Sequence, residues 1–324
     1  MEPTYNIQFV QFVQMLFFVL LVVSLIIQTM NCTFNFNAIT AYAQDEQMKI
    51  QSEDSIKIHK IETKKINVGD IDIAYKIFGN GTPILLINGL SAPLDFWDPI
   101  FLETISHNHT VITFDNRGIG NTTVGEKIYS IKQFADDAAA LLDALKINKV
   151  DVLGWSMGGM IAQEMALKHP DKIEKLIIYA STCGGKGFIF PDPFVMKAFT
   201  SHYNTQMERW EQFLPLLFPE KWRMQNPNYF KNLPTSTEII SDISISRQID
   251  AIINWQGTCD ELHKVSQETL VIVGTDDILT VPANSNLISD KIPGASLVEI
   301  QGGGHASIMQ YPEEFSQIVL AFLK

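Results

Sequence analysis

The sequence predicts an α/β fold, a mostly parallel central sheet flanked by helices, and three observations carry that reading. Short apolar runs rich in β-branched residues, such as Lys149–Leu153 (KVDVL) and Glu268–Val273 (ETLVIV), read as strands buried on both faces. Longer stretches with apolar residues at helical spacing separate them, so strand and helix alternate. The alternation breaks between Ser181 and Glu268, where helical, proline-punctuated pieces rich in aromatics read as an insertion after the sixth strand.

Taken in order, Ile61–Asn67 and Ile71–Phe78 flank Val68-Gly69-Asp70, a Gly-Asp turn that predicts an antiparallel hairpin. Pro83–Ile87 is a buried strand, Leu94–Ser106 a helix, and Thr110–Phe114 the next strand. His107 and His109 fall in the polar loop between them and are expected to face solvent. Ile131–Lys146 has apolar residues at helical intervals; its Asp136, Asp137 and Asp143 read as helix-surface or loop-supporting groups, since no histidine or cysteine joins them at ligand spacing. Lys149–Leu153 is followed by a helix over Met157–Lys168 that stops at His169-Pro170, and Lys175–Ala180 is a strand. Glu268–Val273 and Ala295–Ile300 are the last two strands, with a helix beginning near Thr280-Val281-Pro282 and an amphipathic helix over Glu313–Leu323 closing the chain. The insertion, about 184–262, holds Phe188, Tyr203, Trp210, Trp222, Phe230 and Trp255 among its aromatics.

Residues 154–158 read Gly-Trp-Ser-Met-Gly at the handover from a buried strand to a helix. A Gly-x-Ser-x-Gly turn in that position forces the serine into a strained backbone conformation. Its hydroxyl is then held above the carboxyl edge of the sheet, beside N–H groups of the first helical turn. A serine hydroxyl is a poor nucleophile until a base takes its proton, and the base must be oriented by a third group. Two later strand ends offer both. Glu268–Val273 runs into Gly274-Thr275-Asp276-Asp277, and Ala295–Ile300 runs into Gln301-Gly302-Gly303-Gly304-His305. His305 is set apart from the other six histidines by the three glycines before it, which point to a flexible backbone placing one imidazole over the sheet. Either Asp276 or Asp277 can be the acid, because one of them can instead cap the following helix.

From about residue 60 to the end, the chain resembles the α/β-hydrolase family. The segments that carry the resemblance are LLINGLSAPLDFW at 85–97, TFDNRGIGNT at 113–122, VLGWSMGGMIAQEMA at 152–166, VGTDDILTVPANS at 273–285 and IQGGGHA at 300–306. It implies an α/β-hydrolase fold in which the insertion forms a helical cap over the site. It also implies that Ser156 is the nucleophile, that Asp277 orients His305, and that the backbone N–H groups of Leu90 and Met157 form an oxyanion hole. No cofactor and no metal are called for. The family usually carries His-Gly after the third strand where this chain has Asn88-Gly89; Asn88 can still hydrogen-bond locally, so the loop is expected to survive. The function implied is a serine hydrolase acting on a small-molecule carboxylic ester or related acyl substrate. Lactonases, carbon–carbon bond hydrolases and perhydrolases share the pattern, and a non-catalytic binding protein on the same scaffold is the rival of a different class.

Residues 1–43 read as a signal peptide or a membrane anchor and 44–59 as a polar linker ahead of the hydrolase domain at 60–324. Phe9–Ile27 is almost wholly apolar and long enough to span a bilayer, with no lysine or arginine before it. Ala41-Tyr42-Ala43 is a small-x-small cleavage site, and export with cleavage after Ala43 is the favoured expectation; if the segment is uncleaved, membrane contact runs through residues 9–27. The formal charge of −12 argues against a nucleic-acid partner, which requires a basic face. Of the three cysteines, Cys183 and Cys259 can pair if the domain is exported.

Overall fold

The computed structural model describes residues 60–201, 206–229 and 241–324. The apolar stretch 9–27, the Ala43 site, the linker, Tyr203 and Phe230 lie outside the described residues. Eight strands form one sheet in the order β1-β2-β4-β3-β5-β6-β7-β8. They are β1 (Lys64–Asn67), β2 (Asp72–Gly79), β3 (Thr82–Ile87), β4 (His109–Phe114), β5 (Val150–Trp155), β6 (Ile173–Tyr179), β7 (Glu268–Gly274) and β8 (Ser296–Ile300). The first hairpin is antiparallel, with Lys64 opposite Tyr75 and Val68 N–H bonded to Ile71 O at 2.9 Å. β2 also runs antiparallel to β4, and every later pairing is parallel.

The period-2 pleat divides each strand between two cores. Leu85 and Ile87 of β3 pack with Val152 against α2 (Ile131–Ala144) and α3 (Met157–Lys168) on one face. Ile84 and Leu86 pack with Leu153 and Trp155 against α1 (Pro99–Ser106) and α10 (Pro312–Leu323) on the other. Burial on both faces explains why these strands read as continuous apolar runs.

Two expectations are corrected. Leu94–Ser106 is not one helix: a single 3₁₀ turn at Leu94–Phe96 is followed by α1, with Trp97 and Asp98 extended between them. Pro99 disfavours helical backbone at Asp98, whose Oδ1 instead accepts from the N–H groups of Ile100 and Phe101 and caps α1. His107 is exposed as expected, but His109 is only 7% exposed. It opens β4 opposite Thr82 beneath the β2–β3 turn, and burial lowers its pKa.

The helix-borne aspartates take the supporting roles expected of them. Asp137 holds Arg117 Nε and Nη2 at 2.8 and 2.7 Å, and Asp70 takes the opposite edge of the same guanidinium at 2.6 and 2.9 Å. Arg117 is thereby fully paired though wholly buried, and it ties the hairpin, the β4 loop and α2 together. Asp136 binds Lys168 and His169, and Asp143 binds Lys172.

Between β6 and β7 the described residues hold α4 (Pro193–Thr200), α5 (Gln206–Leu217), α6 (Glu220–Gln225) and α7 (Asp242–Ile253). A Cys183–Cys259 disulfide closes the base of this insertion, with Cα atoms 4.9 Å apart. Gln163 of α3 stitches the same base, donating to Thr182 O at 3.0 Å and accepting from Thr258 Oγ1 at 2.7 Å. The chain then continues through α8 (Pro282–Lys291) and the short α9 (Ser307–Gln310). Among the described residues no helix is long and apolar enough to cross a membrane.

Candidate active site

Ser156 stands between β5 and α3 at φ 58°, ψ −117°, a conformation an L-residue enters only at a cost of about 1–3 kcal/mol. Its neighbours leave it little choice. Its N–H donates to Tyr179 O at 2.9 Å, and its carbonyl accepts from Gly159 N–H at 2.9 Å and Ser181 Oγ at 2.8 Å. A side chain on Gly158 would run into the carbonyl of Ile87, so β3 and the start of α3 approach closely only because that position is glycine. Ser156 is partly exposed while both of its chain neighbours are buried.

The loop after β3 lies directly against this serine. A Cβ on Gly89 would sit 3.1 Å from Ser156 Cβ and 3.6 Å from Ser156 Oγ. Four contacts hold the loop. Asn88 Nδ2 donates to Pro93 O at 2.7 Å, Asn116 Nδ2 donates to Asn88 O at 3.1 Å, and Leu94 N–H donates to Asp115 Oδ1 at 2.6 Å. The fourth comes from the insertion: Ser91 N–H donates to Gln248 Oε1 of α7 at 2.9 Å. Asn88 thus bonds locally as its short amide allows. The N–H of Met157 is the first of α3 and has no acceptor within its own helix.

Asp277 and His305 meet at the ends of β7 and β8. His305 Nδ1 lies 2.9 Å from Asp277 Oδ2, and both side chains are buried. Asp277 Oδ1 accepts from the N–H groups of Leu279 and Thr280 at 2.8 and 2.9 Å, and Oδ2 also accepts from Thr280 Oγ1 at 2.8 Å. Asp276 is exposed and takes only a 3.2 Å contact from Thr275 Oγ1. Among the described residues, Asp277 is the one of the two acids that bonds the imidazole.

The loop carrying His305 is pinned rather than flexible. Side chains at Gly303 and Gly304 would press on Gly274 Cα at 3.1 Å and Pro219 Cδ at 2.6 Å, so these glycines serve close packing. His305 O accepts from Trp155 Nε1 at 3.0 Å and Tyr179 OH at 2.8 Å, and Ala306 N–H donates to Leu217 O of α5 at 3.0 Å. Burial raises the Tyr179 pKa far above its ordinary value, which keeps the hydroxyl protonated and donating. Trp155, next to Ser156 in the chain, places its ring 6.0 Å from the imidazole. Sequence reading missed Thr280, Trp155, Tyr179 and Gln248. A tryptophan inside the serine turn and a tyrosine at a strand end are visible signals, whereas nothing marks Gln248. Among the described residues no group of three or more histidines, cysteines, aspartates or glutamates could hold a metal ion.

A strained serine after β5, an acid–imidazole pair after β7 and β8, and a helical insertion after β6 are parts of one architecture. The α/β hydrolase fold family model matches residues 82–312, and the chain belongs to that family. It is a hydrolase. Similar proteins include the putative carbamate hydrolase RutD of Azorhizobium caulinodans, 28% identical over 263 residues that cover 78% of this chain and 96% of that one. A poly(3-hydroxyalkanoate) depolymerase of Ectopseudomonas oleovorans is 30% identical over 75% of this chain and 84% of its own. Among solved structures, the enol-lactonase of Burkholderia xenovorans LB400 superposes with a TM-score of 0.70 at 25% identity, covering 80% of this chain and 99% of that one.

Proposed function

We propose that this hydrolase cleaves a carboxylic ester or closely related acyl substrate through an acyl-enzyme on Ser156. The observation that carries the reading is a buried Asp277–His305 pair at the ends of β7 and β8, on the sheet whose β5 ends in a serine held in a strained turn. Ser156 Oγ attacks the substrate carbonyl while His305 Nε2 takes the hydroxyl proton, and Asp277 holds Nδ1 protonated and stabilises the imidazolium. The tetrahedral oxyanion is held by the N–H groups of Leu90 and Met157. Collapse expels the alcohol, protonated by His305; water then attacks the acyl-enzyme with the same histidine as base, releasing the acid and free Ser156.

The relatives' names speak of a carbamate, a polyester and an enol-lactone, each with an acyl carbon bonded to oxygen or nitrogen, and that shared chemistry supports the class. The test is labelling by a fluorophosphonate probe together with hydrolysis of p-nitrophenyl esters of graded chain length. Wild type is expected to label and turn over, and Ser156→Ala to do neither while keeping its melting temperature. Labelling of the alanine variant at the wild-type rate would overturn the assignment; a wild type that neither labels nor turns over would favour the non-catalytic binding protein.

We also infer that the protein is exported. The Cys183–Cys259 disulfide supports this, since such bonds persist in oxidising compartments, as does the apolar stretch at 9–27.

A further inference from the structure

Thr280 is buried beside the Asp277–His305 pair and closes a triangle with it. Its Oγ1 stands 2.8 Å from Asp277 Oδ2 and 3.2 Å from His305 Nδ1, while Oδ2 and Nδ1 are 2.9 Å apart. The protons in that triangle have one consistent arrangement. A carboxylate oxygen only accepts, so Nδ1 carries its proton toward Oδ2. The threonine hydroxyl has a single proton, Nδ1 cannot take it, and it too goes to Oδ2. Both bonds converge on one oxygen, since Oδ1 is filled by the N–H groups of Leu279 and Thr280 at 2.8 and 2.9 Å.

The threonine is held by more than the acid. Leu279 packs with Val195 of α4 and Leu216 of α5, and Pro282 opens α8 two residues further on. The other elements around the imidazole bring neutral groups. Trp155 of β5 places its ring 6.0 Å away. Tyr179 of β6 turns a hydroxyl kept protonated by burial onto His305 O, and Ser307 of α9 meets that hydroxyl at 3.0 Å. Leu217 O of α5 takes the Ala306 N–H, and Asp276 is exposed with its contact to Thr275. The charge that bonds the imidazole is therefore that of Asp277, and the hydroxyl of Thr280 sits on the oxygen that delivers it. A carboxylate oxygen that already accepts an O–H proton has less negative charge to offer an imidazolium. The positive end of the same O–H dipole also points at the Oδ2–Nδ1 bond.

We propose that Thr280 is a positioning residue whose hydroxyl tempers the pull of Asp277 on His305, so that the base is free at lower pH than the acid–imidazole pair alone would allow. This rests on the serine-hydrolase reading, and the experiment separates the two. The second-order rate of fluorophosphonate labelling is measured across pH, because it depends on the serine and its base but not on the acyl group. Its rise with pH follows release of the proton from the base, and the midpoint of that rise is the readout. Wild type is compared with Thr280→Val, Thr280→Ala and Thr280→Ser, with melting temperatures alongside.

Thr280→Val keeps the shape of the side chain and loses the hydroxyl, and its midpoint is expected to move up by about half a pH unit, a part of what one buried hydrogen bond is worth. Thr280→Ala makes the same deletion without the branched side chain and should move the same way. Thr280→Ser restores the hydroxyl and should restore the wild-type midpoint. A merely structural role would change rates or melting temperature and leave every midpoint in place, and that result overturns the proposal. So does a downward shift, or a shift in Thr280→Ser equal to that in Thr280→Val. A wild type that does not label overturns the serine-hydrolase reading itself, and the proposal with it.

Discussion

Replacing Asp277 by asparagine exchanges one carboxylate oxygen for an amide nitrogen. Oδ1 already takes two backbone N–H groups, from Leu279 and Thr280, so the asparagine carbonyl stays there and the amide nitrogen falls where Oδ2 was. That nitrogen points at His305 Nδ1, 2.9 Å away, and at Thr280 Oγ1, 2.8 Å away. The threonine hydroxyl can rotate to accept. The imidazole cannot oblige so cheaply: to accept at Nδ1 it must move its proton to Nε2, the nitrogen that receives the serine proton in the proposed mechanism. The fold should therefore stand while the base is disarmed. The comparable change in the trypsin-type triad lowers turnover by ~10⁴, or about 5.4 kcal/mol of transition-state stabilisation. Asp276→Asn alters an exposed carboxylate with one long contact and should stay within a few-fold of wild type. The assay is single-turnover acylation by a p-nitrophenyl ester at neutral pH, with melting temperatures as the control for folding. A Asp277→Asn enzyme retaining a tenth of its activity, or a larger loss from Asp276→Asn, would refute the reasoning.

Two further outcomes are expected. Burial raises the Asp98 pKa from 3.8 to about 7, so the folded protein binds that proton more tightly than the unfolded chain. Stability should then fall as pH rises from about 4 to about 7, by up to about 4 kcal/mol, and level off above it. Asp98→Asn keeps the acceptor that caps α1 and removes the titration, so the variant should show a flatter profile and a higher urea midpoint at pH 8; a lower midpoint there would contradict this account. Under the export reading, N-terminal sequencing of the native protein should find a start near Gln44 outside the cytoplasmic membrane, whereas cytoplasmic protein retaining Met1 would defeat it.

Much of this architecture can be read in the chain because its signals are local. A strand buried on both faces announces itself as an apolar run, and β3, β5 and β7 were each placed to within a residue or two. The serine turn, the two acids and the glycine-led histidine all stand at strand ends, where a parallel sheet gathers its loops on one edge. What escaped depends on distant contacts or on a competing local rule. Gln248 reaches a residue 157 positions away, and no periodicity marks such a bond. Helical spacing over 94–106 was overruled by Pro99, a signal present in the sequence and outweighed by the apolar pattern. His109 reads as loop from its polar neighbours and instead begins a buried strand. The choice between Asp276 and Asp277 turns on which way the chain twists as it leaves β7, which composition does not encode.

The Cys183–Cys259 bond gives the molecule a topology its linear sequence does not have. The stretch between the two cysteines, 76 positions apart, becomes a covalent ring closed at the base of the insertion. Whatever happens inside that ring, the chain leaving β6 and the chain entering β7 stay side by side. A proteolytic nick in the insertion would thus leave both fragments attached, migrating as one species until a reductant is added. The ring restrains only its two ends; α5 and α7 remain tied to the strand-end loops by contacts of their own, Leu217 O to Ala306 N–H and Gln248 Oε1 to Ser91 N–H.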